Sequence, residues 1–349
     1  MKSALLTVKE ESCGCGLPIA SNISFTAEIT TPASMFADLP TLACVMPEET
    51  AIKIRTDKGS AFILFPLNDT VLHPLYGDNE IELEKIVNSI NIIAQDSTCV
   101  VTDVYIHGYA SPEGPYKTNE RLSKGRTNSV VEYVNNICNF PEDILVAEYT
   151  AEDWEGFEAL LINSSYINKS EVLKIIRSNQ TPDQKERTIR KKYPQFFNML
   201  LDDWFIMLRH TDYIIKYEVC FFSTIEEIEQ IYHSNPRNLS HNELFQLSQR
   251  YSNGSDEQYD IFLKSVSLYP EDPIANLNAA GVALRRRNLT AAKQYIDLSP
   301  ECGEKDLALG VYHLLSEDYD KASHYINRSN QMGVSESEQY LNILQSIYR

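Results

Sequence analysis

The sequence predicts an α+β protein, in which a sheet-and-helix domain is followed by an all-α domain built from repeats. Between residues 51 and 222, short runs of β-branched residues alternate with helical patterns, which is typical of βαβ units. From residue 223 onward the apolar pattern is helical throughout. The length of 349 residues fits two or three domains of roughly 150 residues each.

The most informative stretch is residues 101–134, where a strand, a turn and a helix follow one another. The β-branched run 101–106 leads into Gly108, which favours a strand that ends there. Residues 111–114 have the sequence Ser-Pro-Glu-Gly, which fits a type I turn. We expect Thr118 or Asn119 to cap the helix. Its apolar stripe is predicted to contain Leu122, Val130, Val134 and Ile137.

Arg126 lies on the same helical stripe, four residues after Leu122 and four before Val130. A guanidinium beside an apolar face, near a helix N-terminus, favours an anionic ligand such as a carboxylate. A structural ion pair with a nearby Asp or Glu would give the same pattern. Both interpretations stay open at this point.

The elements around this stretch complete a predicted sheet domain. Residues 51–66 are expected to form a hairpin that turns at Asp57-Lys58-Gly59. Asp78 or Asn79 should cap a helix, and residues 144–149 should form a strand. Residues 153–211 are predicted to be a helical insertion, after which a strand over 212–222 closes the sheet.

The last part of the chain contains an internal repeat. The sequence Ala-Lys-Gln-Tyr-Ile at 292–296 recurs as Ala-Ser-His-Tyr-Ile at 322–326, and Gly281 recurs as Gly310. Helix pairs that begin near residues 240, 274 and 305 resemble tetratricopeptide (TPR) repeats. Such a resemblance implies a surface for a protein partner, although a helical cap on the flank of the sheet domain is the alternative. The first 50 residues are either a β-rich remnant, with a strand near 23–29, or a flexible lead-in.

Two motifs within residues 51–222 resemble the C-terminal, peptidoglycan-associating domain of the outer-membrane protein A (OmpA) family. The pattern is a strand that ends in Gly-Tyr, then Asn, Leu-Ser and Arg in register; here it consists of Gly108, Tyr109, Asn119, Leu122, Ser123 and Arg126. Upstream, residues 65–74 resemble the first strand and loop of the family, with Asn68, Leu72 and Pro74 in place. The Ala-Ser-Pro-Glu-Gly sequence at 110–114 resembles a sub-branch of Gram-negative envelope proteins with a helical tail.

This resemblance implies an OmpA-like βαβα-β domain that binds the peptide of the cell wall. In the family, the Arg meets the carboxylate of diaminopimelate and an Asp meets its ammonium group. Arg126 matches the Arg, whereas Ser111 stands at the position of the Asp, and Glu113 is a hypothetical substitute for the missing charge. The groove beside Arg126 is expected to be lined by Asn68, Ser111, Glu113, Tyr116 and Asn119.

The composition and the sequence motifs argue against several other classes of protein. A formal net charge of −18 and a pI near 4.8 argue against a nucleic-acid partner. No apolar run approaches the roughly 20 residues that cross a bilayer. Cys13 and Cys15 have no nearby His and no CxxC motif occurs, so no metal site is expected. No P-loop or dinucleotide fingerprint appears, so no cofactor is expected either. The sequence contains no GxSxG and no HExxH motif, and no spacing suggests the two carboxylates about 5–10 Å apart that a wall hydrolase would need.

We therefore expect a non-enzymatic protein of the periplasm or the outer-membrane-associated envelope, which binds peptidoglycan through the OmpA-like domain and a protein through the TPR-like tail. The alternative is an envelope scaffold or assembly adaptor that has lost wall binding. The start, Met1–Val8, is too short for a signal peptide, so an envelope role predicts an export segment outside this sequence.

Overall fold

The computed structural model describes residues 2–10, 21–29, 39–141 and 143–347. It confirms an α+β protein, and the described residues form fifteen α-helices and a four-stranded mixed sheet, together with a separate two-stranded sheet. The chain divides into two compact units. The first, Ala51–Phe221, is called the sheet unit below, and the second, Met1–Thr50 with Phe222–Arg349, is called the helical unit.

The sheet unit alternates strands and helices before a helical insertion. Its strands are β3 (Lys53–Ala61), β4 (Cys99–Tyr109), β5 (Leu145–Thr150) and β6 (Thr211–Val219). Helices α1 (Asn79–Ala94) and α2 (Tyr116–Cys138) lie between strands. The insertion contains α3 (Trp154–Asn163), α4 (Lys169–Ile176), α5 (Pro182–Lys192), α6 (Pro194–Asp202) and α7 (Trp204–Met207).

The strand order is β3-β6-β4-β5, so the last strand of the sheet unit lies inside the sheet. Strand β6 pairs antiparallel with both β3 and β4, whereas β4 and β5 are parallel, as expected for a βαβ crossover. The sequence predicted β6 correctly but placed it as the closing strand. Its alternating buried positions, among them Tyr213 and Ile215, face the core between the sheet and helices α1 and α2. A separate apolar core holds the insertion together.

The hairpin predicted over residues 51–66 is wrong. Asp57, Lys58 and Gly59 continue β3 instead of turning, and they pair with β6 in unbroken register. The ring of Tyr213 explains the glycine, because a Cβ atom at Gly59 would lie 2.2 Å from the Tyr213 hydroxyl oxygen. Gly59 is therefore a packing position within a strand.

The helical unit also contains the two N-terminal strands. Strand β1 (Lys2–Glu10) pairs antiparallel with β2 (Ser21–Ile29), which confirms the strand predicted near 23–29. The remaining helices are α8 (Ile225–Ser234), α9 (His241–Ser248), α10 (Asp256–Leu268), α11 (Pro273–Arg285), α12 (Leu289–Leu298), α13 (Gly303–Leu315), α14 (Tyr319–Gln331) and α15 (Ser337–Ile347). Of the first 50 residues, the described ranges 2–10, 21–29 and 39–50 fall in this unit.

The predicted repeat corresponds to two successive antiparallel helix pairs. Ala292 and Ile296 in α12 are fully buried, and so are Ala322 and Ile326 at the matching positions of α14. Gly310 allows close packing of the second pair, because a Cβ atom there would lie 2.4 Å from Cγ1 of Ile326. These equivalences support helical pairs stacked around one continuous core.

Candidate functional site

A pocket of about 420 Å³ opens in the sheet unit at the end of β4 and the start of α2. Three parts of the chain form it: the loop after β3, the Ala110–Pro115 turn with the first half of α2, and Arg209 before β6. The pocket lining includes five of the six residues that the sequence selected, namely Asn68, Ser111, Glu113, Asn119 and Arg126. Tyr116 is not among the lining residues.

Arg126 is held by main-chain carbonyl groups. Its Nε donates to the carbonyl oxygen of Asp69 over 3.0 Å, and its Nη2 donates to that of Pro66 over 3.4 Å. The guanidinium carbon lies 5.1 Å from the ring centre of Phe65. Among the described residues, no carboxylate oxygen lies within 4.0 Å of this guanidinium, and its Nη1 makes no hydrogen bond. An ion pair with another described residue therefore does not account for the position of Arg126.

The loop after β3 holds the carbonyl groups of Pro66 and Asp69 in place for Arg126. The side chain of Asp69 accepts hydrogen bonds from the backbone N–H groups of Thr70 and Val71, at 2.7 and 3.0 Å. Asn68 adopts a left-handed conformation with φ of 58°, which Asn tolerates better than most residues. The loop packs against α2 at Gly125, where a Cβ atom would lie 2.6 Å from Thr70 Cγ2.

A second guanidinium, that of Arg209, enters the pocket from the other side. Its Nε donates to the Ser111 hydroxyl over 3.0 Å, and its Nη2 forms an ion pair of 2.5 Å with Glu113 Oε1. Glu113 therefore neutralises Arg209, whereas Arg126 has no such partner among the residues that the structure describes. Burial lowers the pKa of Arg126, and the positive charge of Arg209 lowers it further. Arginine side chains are effectively always protonated in proteins, so Arg126 stays charged despite this shift.

The turn between β4 and α2 is fixed by Asn119, which lies within the helix and does not cap it. Its Nδ2 donates to the carbonyl oxygen of Glu113 over 2.8 Å and to Glu152 Oε1 over 3.0 Å. Burial raises the pKa of Glu152, although the hydrogen bonds from Asn119 and Trp154 oppose this shift. The prediction that Thr118 or Asn119 is the N-cap is wrong, because the helix begins earlier, directly after Pro115.

Tyr116 has a different environment from the other predicted residues. Its backbone N–H donates to Asp183 Oδ1 over 2.9 Å, so a carboxylate from α5 occupies the first free N–H group of α2. Similarly, Glu186 accepts a hydrogen bond of 3.2 Å from the N–H of Gly114 and pairs with Arg190. The helical insertion thus supplies two carboxylates that hold the turn. Sequence spacing carries no signal for these contacts, because the partners are about seventy residues apart.

The face of the sheet that points away from helices α1 and α2 contains another cavity, of about 520 Å³, lined by charged and aromatic side chains. Strand register places Ser60, Asp212, His107 and Glu148 in one row across all four strands. The ring of Tyr109 is stacked between those of His107 and His210 at 4.3 and 4.4 Å. Within the described residues, no group of three or more His, Cys, Asp or Glu side chains could hold a metal ion. Cys13 and Cys15 lie outside the described residues.

Comparison with known proteins adds no assignment to this geometry. No family model matches the chain, and no curated protein matches it. Among the described helices, none is both long and apolar enough to cross a membrane.

Proposed function

We propose that this chain is a non-catalytic cell-envelope protein, with an OmpA-like sheet unit that binds peptidoglycan and a TPR-like helical unit that binds a protein. The observation that carries the first part is the free Nη1 edge of Arg126 in an open pocket. A carboxylate of the wall peptide is the expected ligand. The sequence resemblance supplies the ligand class, and the periplasm or the outer-membrane-associated envelope is the corresponding location.

The pocket favours an anion for electrostatic reasons. Two guanidinium groups and one carboxylate leave a local excess of one positive charge, although the whole chain has a net charge of −18. Charge-assisted hydrogen bonds of this kind contribute roughly 1.5–3 kcal/mol each. A bound carboxylate would reach Arg126 without replacing any existing ion pair.

Recognition of an ammonium group is the weaker part of this site. Ser111 occupies the position of the family acid and accepts a hydrogen bond from Arg209. Glu113, the hypothetical substitute, is already paired with the same arginine. The proposed ligand contact is therefore carboxylate to Arg126, and we expect the amine of the diamino acid to contribute less than the carboxylate.

Co-sedimentation with purified cell-wall sacculi tests the proposal. The intact chain should sediment with sacculi at low salt, and Arg126→Gln should lower the bound fraction at least tenfold. Arg187→Gln is the matched control, since it removes the same charge from an exposed position on α5 outside the pocket. If the unaltered chain stays in solution at low salt, wall binding is excluded and the adaptor alternative takes its place.

A further inference from the structure

Residues 39–47 form no helix or strand, yet several of them pack against the helices of the helical unit. They are called the 39–47 segment below. Its sequence is Leu-Pro-Thr-Leu-Ala-Cys-Val-Met-Pro. Leu39 is 5% exposed, and Leu42 and Val45 are partly buried against the same core as the repeat helices. These three apolar residues follow one another at every third position.

Polar side chains from the helices hold the main chain of this segment. Asn278 binds both polar groups of one residue: its Oδ1 accepts from the Val45 N–H and its Nδ2 donates to the Val45 carbonyl oxygen, each over 2.8 Å. Asn242 donates to the carbonyl oxygen of Pro47 over 3.2 Å, and the Tyr340 hydroxyl donates to that of Pro40 over 2.5 Å. Bonds to the main chain hold an extended peptide without depending on its side chains.

The helices that contact the segment share one position in the repeat. Asn242 lies in α9, Asn278 in α11 and Tyr340 in α15, while Val311 of α13 lines a small cavity with Leu39 and Leu42. These are the first helices of successive pairs, together with the helix that ends the array. The segment therefore lies along one continuous face of these helices, and this face is called the groove below.

Gly281 belongs to this groove and does not serve the helix-to-helix contact that its counterpart Gly310 serves. A Cβ atom at Gly281 would lie 3.6 Å from Cβ of Leu42, an ordinary contact distance, so Gly281 lies directly against the segment. The thiol of Cys44 is enclosed as well, and burial raises its pKa to about 11. The groove thus combines an apolar floor, a small residue and two asparagine side chains.

We propose that this groove is a binding site for an extended peptide, that the 39–47 segment fills it in the resting chain, and that the protein partner replaces this segment with one of its own. The partner segment would be extended, with apolar residues at every third position. The inference refines the protein-binding part of the proposed function and is independent of wall binding. Displacement is feasible because Leu42, Ala43 and Val45 are only partly buried and Met46 is 66% exposed.

The test uses the full chain with a protease site inserted between Glu49 and Thr50, both of which are exposed. The probe is a fluorescent peptide with the sequence of residues 38–48, followed by fluorescence anisotropy. We expect little binding to the uncut chain and saturable binding after cleavage, at least tenfold tighter. A probe with Leu42→Asp and Val45→Asp should bind at least thirtyfold more weakly.

Variants of the groove supply the control. Asn278→Ala in the cleaved chain should weaken probe binding at least tenfold, whereas Asn327→Ala, an exposed asparagine on α14, should have no effect. The proposal is overturned if the probe fails to exchange while circular dichroism shows intact helices. It is equally overturned if loss of the segment unfolds the helices, or if the uncut chain binds the probe as tightly. Sacculus binding by the same cleaved chain reports separately on the wall site.

Discussion

The Nε of Arg209 donates a hydrogen bond of 3.0 Å to the hydroxyl group of Ser111. Ser111 stands at the position where the OmpA family, which the sequence resembles, has an acid. The same guanidinium pairs with Glu113 Oε1, so one arginine contacts both polar side chains of the turn. This arrangement leaves Arg126 as the guanidinium with a free edge in the pocket. For the proposed wall ligand, we therefore expect the carboxylate to contribute more to binding than the amine.

Removal of this contact should weaken the sheet unit. Arg209→Gln leaves Glu113 without its ion pair and Ser111 without its donor, and both contacts are partly exposed to solvent. We expect a loss of about 1 kcal/mol in the free energy of unfolding. Both tryptophans of the chain, Trp154 and Trp204, lie in the sheet unit, so urea unfolding followed by tryptophan fluorescence measures this change. Arg187→Gln should leave the transition unchanged; an equal loss there would point to net charge instead.

The stability of the sheet unit should fall as the pH rises through the neutral range. Burial acts to lower the pKa of His210, but the hydrogen bond and negative charge of Asp212 outweigh it and raise that pKa. Because the pKa of His210 is higher in the folded state, protonation of His210 stabilises the fold. This stabilisation is fully present below the unfolded pKa of about 6.5 and is lost as the pH rises through the folded-state pKa. We expect a decrease of roughly 0.5 kcal/mol between pH 6 and 8, because Asp212 is partly exposed.

Fluorescence-detected urea unfolding at several pH values measures this dependence. His210→Asn should remove it, while His324→Asn, in the helical unit, should not. A slope that survives in His210→Asn would assign the effect to other groups.

The two glycines of the repeat should respond oppositely to alanine. At Gly310 a Cβ atom would lie 2.4 Å from Ile326 Cγ1 and 3.1 Å from its backbone nitrogen, so Gly310→Ala should destabilise the helical unit by about 1–3 kcal/mol. At Gly281 the nearest atom lies at 3.6 Å, an ordinary contact, so the higher helix propensity of alanine should stabilise by up to about 1 kcal/mol. Both tryptophans lie in the sheet unit, so unfolding of the helical unit is the transition that far-UV circular dichroism detects and tryptophan fluorescence does not. Equal effects of both substitutions would contradict the packing account.

Local patterns predicted much of the fold because the elements that dominate it have strong periodicity. The alternation in β6 and the stripe of Leu122, Val130 and Val134 were sufficient to place a strand and a helix. The turn at Asp57-Lys58-Gly59 was mispredicted because the glycine serves the ring of Tyr213, which is distant in sequence. Ile137 was placed on the buried stripe of α2, yet it is 48% exposed.

The candidate site was predictable where its residues belong to the two sequence motifs, at 65–74 and 108–126. Arg126 and the turn at 111–114 are linked by a motif, whereas the carboxylates of Glu152, Asp183 and Glu186 arrive from later elements. The 39–47 segment has neither the helical nor the strand period, and its main chain is held by side chains from three different helices. Such contacts depend on tertiary structure and leave no spacing in the sequence.

Calorimetric titration of a soluble wall peptide that contains the diamino acid tests the central claim most directly. The account predicts that conversion of its side-chain carboxylate to a carboxamide weakens binding to the unaltered chain at least tenfold. In Arg126→Gln the acid and the amide should bind with the same, low affinity, since the guanidinium that distinguishes them is gone. If Arg126→Gln still prefers the acid tenfold, the carboxylate is bound elsewhere and the claim is contradicted.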